Sequence, residues 1–151
     1  MNIRESKAIT IISLVVTIII LLIISGISIT GVIRGIDETQ EATQISQLNM
    51  IQHTILERKT KAQYTKEELP GTELHETELK NIINQINQKA TESITIKGET
   101  QDYKKLSTTD LEDLGVSGDT DTYIVNYKTG EVINITKMTT KKGKALYIYS
   151  K

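Results

Sequence analysis

The sequence predicts an α+β protein in which a long N-terminal α-helix, with an apolar transmembrane half and an amphipathic half, packs on a small C-terminal antiparallel β-sheet. Three observations predict this fold class. Residues 8–33 contain no charged side chain. Apolar residues then recur every three or four positions through residues 45–55, which is typical of a helix with one buried face. Toward the C-terminus, alternating segments are separated by turns that contain glycine, as in antiparallel strands.

The apolar run 8–33 is long enough to cross a bilayer, because a helix needs only about 20 apolar residues to span the hydrocarbon core. Its many β-branched residues do not oppose a helix, since a segment in lipid must satisfy its own backbone hydrogen bonds. A cleaved secretory signal is one alternative, but such signals have apolar regions of about 7–15 residues. Ser25-Gly26-Ile27-Ser28 is also a poor cleavage site. A buried core helix is the other alternative, and the run is too long and too uniformly apolar for the core of so small a chain.

The charges before this run predict the orientation of the chain. Arg4 and Lys7 precede it, with only Glu5 against them. Positive residues stay on the cytoplasmic side of a membrane segment. We therefore expect a single-pass protein of the cell membrane, with its N-terminus in the cytoplasm and its C-terminus outside.

The amphipathic half of the helix is assigned to residues 34–60 and the globular head to residues 61–151. A stripe of apolar residues, here called the head-packing stripe, consists of Ile45, Leu48, Ile51 and Ile55. No proline precedes Pro70, so the simplest interpretation is one helix from about residue 9 to residue 60. A helix of this kind needs two environments, an apolar one first and its own head second.

The first part of the head contains one more helix and a short strand. Residues 72–88 carry apolar side chains on one helical face, and residues 92–97 alternate as in a strand. Residues 108–115 predict a short capped helical turn, because threonines begin it, acids follow and Gly115 ends it.

The C-terminal part gives the clearest β pattern. Residues 121–127 and 131–136 are rich in β-forming residues and flank the turn Lys128-Thr129-Gly130, so they predict a hairpin. Residues 145–149 predict a closing strand. We expect an antiparallel sheet of three or four strands whose apolar face packs on the head-packing stripe.

Composition argues against several functions. The chain has no cysteine, which excludes disulfides and thiol catalysis, and its net charge of -1 gives no general reason to expect nucleic-acid binding. His53 and His75 are isolated, so we expect surface histidines and no metal, cofactor or enzymatic activity. An acidic loop is expected to be solvated, since its spacing does not fit a calcium-binding loop; its acids are Asp110, Glu112, Asp113, Asp119 and Asp121.

The lysines near the C-terminus leave one binding question open. We expect a solvated basic hairpin, and contact with DNA or anionic cell-wall polymers is the alternative. These residues are Lys137, Lys141, Lys142, Lys144 and Lys151.

Residues 7–22, KAITIISLVVTIIILL, resemble the N-terminal signature of type IV prepilins, in the variety of low-GC Gram-positive bacteria. The resemblance extends over residues 7–29. It implies a pilin-like fold and a leader peptide at residues 1–8. It also implies cleavage by prepilin peptidase between Ala8 and Ile9, after which Ile9 would be the N-methylated N-terminus.

Two positions depart from the family pattern. Ala8 stands where the family has glycine, and Ser13 stands where the family has a glutamate that meets the N-terminal ammonium of a neighbouring subunit. The departures favour a minor pilin or pseudopilin, a structural subunit of a type IV pilus-like extracellular filament. They also keep an alternative open, an uncleaved single-pass membrane-anchored extracellular binding module that does not polymerise.

Assembly is predicted to use the apolar helix over residues 9–33. Lipid would cover this segment first, and copies of the same helix would replace the lipid in a filament. Small or polar side chains allow close helix packing there, and the candidates are Ser13, Thr17, Gly26, Thr30, Gly31 and Gly35. The implied partners are other pilin subunits, prepilin peptidase, an inner assembly platform with its ATPase, and membrane lipid before assembly.

Overall fold

The computed structural model describes the backbone of residues 3–150 and the side chains of residues 9–23 and 38–150. The chain divides into two compact units, Met1–Gln40 and Glu41–Lys151, and we call the second one the head unit. In chain order, the elements are α1 (Ile3–Thr65), β1 (Thr72–Glu73), α2 (Glu76–Lys89), β2 (Tyr103–Leu106), α3 (Thr108–Asp113), β3 (Tyr123–Asn126), β4 (Glu131–Asn134) and β5 (Tyr147–Ile148).

The five strands form one antiparallel sheet in which every strand pairs with the next one in the sequence, in the order β1-β2-β3-β4-β5. The hairpin predicted around Lys128-Thr129-Gly130 is confirmed, because Asn126 of β3 pairs with Glu131 of β4. Gly130 has a φ of +69°, a left-handed conformation that favours glycine. Both edge strands are only two residues long.

The sheet of the head unit is buried on both faces. One face packs against the C-terminal part of α1, where Leu48, Ile51 and Ile55 are buried with apolar side chains of β3 and β4. The other face packs against α2, where Leu79 and Ile86 are buried beside the sheet. Burying a large apolar side chain stabilises a fold by about 1.5–3 kcal/mol. Two separate clusters of this kind stabilise a head that has no disulfide.

Helix α3 begins with a complete capping box. The Ser107 hydroxyl accepts a hydrogen bond from the Asp110 backbone N–H, and the Asp110 carboxylate accepts one from the Ser107 N–H at 2.8 Å. These bonds satisfy N–H groups that the first turn of a helix leaves without partners. Gly115 follows the helix with a φ of +86°. The helical turn expected over residues 108–115 is therefore present, with Ser107 as its cap.

The predicted fold class is wrong in assigning a pilin-like arrangement with an apolar transmembrane half. Among the residues that the structure describes, no helix is both long and apolar enough to cross a membrane. The continuous stretch of the predicted span that is free of charge and has described side chains is residues 9–23, which is shorter than the about 20 residues that a bilayer requires. The rest of the predicted span, residues 24–33 with Ala8, lies outside the described side chains. The structure instead has an α+β head with five antiparallel strands.

Two local predictions in the head also need correction. Residues 72 and 73 form β1, and α2 begins only at Glu76. Residues 92–97 are not a strand, because side chains take the backbone groups that a sheet would use. The Asn87 side chain pairs with both the N–H and the carbonyl oxygen of Ile94. The alternation of Ile94 and Ile96 instead reflects their packing on the second core cluster.

Candidate functional site

The most unusual surface of the described chain is the apolar stretch 9–23 of α1, which we call the assembly surface. Twelve large apolar side chains in this stretch are 48–67% exposed. They include six consecutive residues from Ile18 to Ile23, which point in all directions around a helix. Soluble proteins rarely expose continuous apolar patches of this kind unless a partner covers them. A helix that is apolar on all sides is normally buried on all sides.

The hydroxyl of Thr17 on the assembly surface is adapted to an apolar environment. The Thr17 hydroxyl donates a hydrogen bond of 2.7 Å to the Ser13 carbonyl oxygen, one helical turn earlier. This bond satisfies the Thr17 hydroxyl within its own helix, so that another helix can cover it at little cost. Beside Ser13, the small side chains leave a shallow depression between Ile9 and Leu14. A side chain of a neighbouring helix fits such a depression.

The other residues expected to take part in assembly or processing cannot be placed in the same way. Gly26, Thr30, Gly31 and Gly35 lie in the part of α1 whose surroundings the structure does not describe, and so does Ala8. Ile9, the expected new N-terminus, is 58% exposed. The structure brings together only Ile9, Ser13 and Thr17 of this predicted set.

The head-packing stripe lies where α1 meets the sheet of the head unit. Leu48, Ile51 and Ile55 are at most 1% exposed, and Ile45 is half-buried at the margin of the same cluster. The opposite side of this part of α1 is polar, with His53 and Glu57 exposed. The stripe therefore supports the head and offers no free surface.

A carboxylate is buried on the α2 side of the sheet. Glu131 accepts hydrogen bonds from the hydroxyls of Tyr103 at 2.6 Å, Thr129 at 2.7 Å and Tyr147 at 2.8 Å. It also accepts one from the Lys97 backbone N–H at 3.0 Å. Burial alone would raise the pKa of Glu131, but these four donors outweigh burial and lower it. Sequence reasoning missed this residue, because an acid in an alternating strand is normally expected to face water.

A second polar feature is a cavity of about 280 Å³ between α1, the loop 117–121 and the end of β4, which we call the polar pocket. Its walls include Gln47, Ser117, Asp119, Thr120, Asp121 and Lys137. Asp119 and Asp121 were expected in a solvated loop. Asp121 is 8% exposed, and Asp119 is half-buried. No spacing pattern in the sequence connects residues 44–47 with residues 117–121, so the pocket could not be foreseen.

The remaining sequence candidates stay apart. His53 and His75 are both exposed, and they lie on α1 and just before α2. Within the described residues, no group of three or more acidic or histidine side chains is placed to hold a metal ion. Asp110 is engaged in the capping box of α3, and Asp113 forms an ion pair with Arg58 at 3.5 Å.

Comparison with known proteins gives no relative from which a function could be transferred: no protein family, no curated protein and no solved structure matches this chain. Function must therefore be argued from the assembly surface and the head unit themselves.

Proposed function

We propose that this chain is a structural subunit of a type IV pilus-like extracellular filament, a minor pilin or pseudopilin, that assembles through its N-terminal apolar helix. The observation that carries the proposal is the exposure of twelve large apolar side chains on residues 9–23. Each of them is about half-exposed, so full burial would add roughly half of the about 1.5–3 kcal/mol that burying a whole side chain contributes. The resemblance of residues 7–29 to the prepilin signature supports the same function.

The distribution of these side chains favours a polymer over a dimer. A single partner helix covers only one stripe, which contains three or four side chains in every two turns. The run from Ile18 to Ile23 leaves no polar side for water. Outside lipid, several neighbouring helices are needed to cover it, and repeated head-to-tail contacts that do not close produce a filament.

The head supports this arrangement because its sheet is poorly suited to polymerisation. The edge strands β1 and β5 have two residues each, and such short edges do not recruit further strands efficiently. Copies of this chain therefore have more to gain from contact through α1 than through the sheet.

The test is to identify the mature N-terminus by mass spectrometry and to look for the chain in filaments sheared from the producing cells. We expect a chain that begins at Ile9 and is present in the sheared fraction. An intact Met1 and no filament would contradict the proposal and favour the anchored module. A chain that begins near residue 29 would indicate ordinary secretion.

A pair of variants makes the test specific to the assembly surface. Ile18→Glu places a charge where neighbouring helices would exclude water, so we expect loss of incorporation into filaments. His53→Glu places the same charge on an exposed position of the head unit and should leave incorporation unchanged. Equal incorporation of both variants would contradict assembly through the apolar helix.

A further inference from the structure

The polar pocket is held open by hydrogen bonds that fix its walls. The Asp119 carboxylate accepts hydrogen bonds from the Gln47 side-chain amide at 2.7 Å and from the Tyr123 hydroxyl at 2.6 Å. Its other oxygen accepts one from the Asp121 backbone N–H at 2.9 Å. The loop is thus attached to α1 and to the sheet at once. A site with fixed walls does not spend binding energy on ordering them.

The floor of the pocket is fixed in the same way. The Asp121 carboxylate accepts a hydrogen bond from the Asn134 side chain and forms an ion pair with the Lys137 ammonium, both at 2.9 Å. The Lys137 ammonium has three N–H donors, so it can still donate to a ligand. Ser117 and Thr120 are exposed on the rim and make no hydrogen bond to another described residue. Each of their hydroxyls can both donate and accept.

These groups restrict the chemistry of a ligand. An anion would meet the carboxylates of Asp119 and Asp121. A metal ion would meet the Lys137 ammonium, and the described residues offer no group of three metal-binding acids there. An apolar molecule would leave these polar walls without partners. A neutral molecule rich in hydroxyl groups fits best, because every hydroxyl can donate to the carboxylates and accept from the amide or the ammonium.

The size of the pocket narrows the ligand further. Sites for drug-sized molecules enclose about 300–1,000 Å³, and this pocket encloses about 280 Å³. We propose that the polar pocket binds one sugar unit of a neutral saccharide, which makes the head unit a saccharide-binding module. This activity goes beyond filament assembly, since it belongs to the head unit and not to the assembly surface.

The experiment measures saccharide binding by calorimetry on the full chain, kept in a detergent that has no sugar headgroup. The neutral probes are chitotriose, maltotriose and galactobiose, and the opposing probes are a heparin oligosaccharide and calcium chloride. We expect saturable binding of at least one neutral probe and of neither opposing probe. Binding of no neutral probe would overturn the proposal, and so would a response to calcium or heparin alone.

Variants place the binding in the pocket. Ser117→Trp fills the rim and should weaken binding more than tenfold. Ser93→Trp adds the same bulk at an exposed position outside the pocket and should leave binding unchanged. Equal affinity of these two variants would overturn the proposal.

A second variant keeps the test valid if the tryptophan at residue 117 disturbs folding. Thr120→Ala removes one exposed hydroxyl that supports no other bond, and it should weaken binding about 2- to 10-fold, as expected for one neutral hydrogen bond. Unchanged affinity in Thr120→Ala, together with an unfolded Ser117→Trp, would likewise count against the pocket. Filament incorporation serves as the independent control, because it should be the same in all three variants.

Discussion

The Tyr103 hydroxyl donates a 2.6 Å hydrogen bond to the carboxylate of Glu131, and both side chains are completely buried. No cation compensates this carboxylate among its described hydrogen-bond partners, which are three hydroxyls and one backbone N–H. A buried charge is tolerated when hydrogen bonds replace the water that it loses. The four bonds connect β2, the β3–β4 turn, β4, β5 and the segment before residue 98, so they join most of the sheet at one point.

Replacement of Glu131 by glutamine should destabilise the head unit by about 2–4 kcal/mol, because the new amide N–H₂ faces donors and leaves them without acceptors. Glu112 is exposed and its side chain makes no hydrogen bond to another described residue, so Glu112→Gln is the matched control and should change the free energy of unfolding by less than about 0.5 kcal/mol. Urea unfolding of the full chain in detergent measures both. Equal stability of the two variants would mean that the Glu131 contacts contribute no net stability.

The same carboxylate predicts a dependence on acidic pH. Its pKa is lowered in the folded state, so its contribution is complete above the unfolded pKa of about 4.3 and is lost as the pH falls through the folded pKa. We therefore expect the stability difference between the unmodified chain and Glu131→Gln to be constant near neutral pH and to narrow in acid. Unfolding curves at a series of pH values measure it, and a difference that stays constant in strong acid would refute the prediction.

Four tyrosines of the head unit predict a loss of its stability at alkaline pH. Burial first, and nearby carboxylates second, raise the pKa of four tyrosine hydroxyls well above their usual value of about 10; they are Tyr103, Tyr123, Tyr127 and Tyr147. A raised pKa contributes stability that is present below pH 10 and is lost as the pH rises further. Above pH 10 the unfolding free energy should fall by up to about 1.4 kcal/mol per pH unit for each tyrosine. Tyr103→Phe removes one of these hydroxyls, so the fall in unfolding free energy above pH 10 should become less steep by up to about 1.4 kcal/mol per pH unit. An unchanged steepness would argue against burial of the Tyr103 hydroxyl.

Two glycines with left-handed backbones separate steric overlap from conformational strain. Gly130 has a φ of +69°, and a Cβ atom there would lie 2.7 Å from the Cβ of Ser150. Gly118 has a φ of +80°, and a Cβ atom there meets nothing within 4 Å. Alanine at either position costs about 1–2 kcal/mol through its backbone conformation, and Gly130→Ala should cost about 1–3 kcal/mol more through overlap. Thermal unfolding of both variants measures the difference between their losses of stability. Equal losses would mean that Ser150 moves away from the new methyl group without cost, and would contradict the prediction.

Ser13 predicts a gain of function. In the family that residues 7–29 resemble, a glutamate at this position meets the N-terminal ammonium of the neighbouring subunit, and an ion pair in an apolar environment compensates two costly charges. Ser13→Glu should therefore raise the share of this chain in sheared filaments. Thr17→Glu places the same charge one helical turn further along and should lower it. Quantitative immunoblotting compares the two, and no gain for Ser13→Glu would indicate that assembly does not use this position.

The parts of the head that could be predicted are those whose pattern is local. The β3–β4 hairpin depends on a turn that ends in Gly130, and its alternating strands lie next to it in the sequence. The burial of Leu48, Ile51 and Ile55 follows from their spacing on one helix. Strand β2 was missed, because its sequence YKKL buries only Tyr103 and Leu106 and contains two lysines. Its pairing with β3 depends on residues about twenty positions away.

The features of the candidate site also differ in whether a local sequence pattern indicates them. The apolar character of residues 9–23 follows from composition alone, since they contain no charge. The polar pocket does not, because Gln47, Asp119 and Lys137 meet only after the chain has folded. The buried position of Glu131 depends on four donors from separate segments, and no local pattern announces such an arrangement. The predicted transmembrane half is wrong, because no helix among the described residues is long and apolar enough to cross a membrane.

The consecutive strand order has a consequence for how the polypeptide is made. Each new strand is added beside the one synthesised just before it, so every strand after the first has its partner already made when it emerges. No strand has to be inserted later between two strands that have already been made. A nascent chain with this topology has little time in which unpaired strands could meet those of its neighbours.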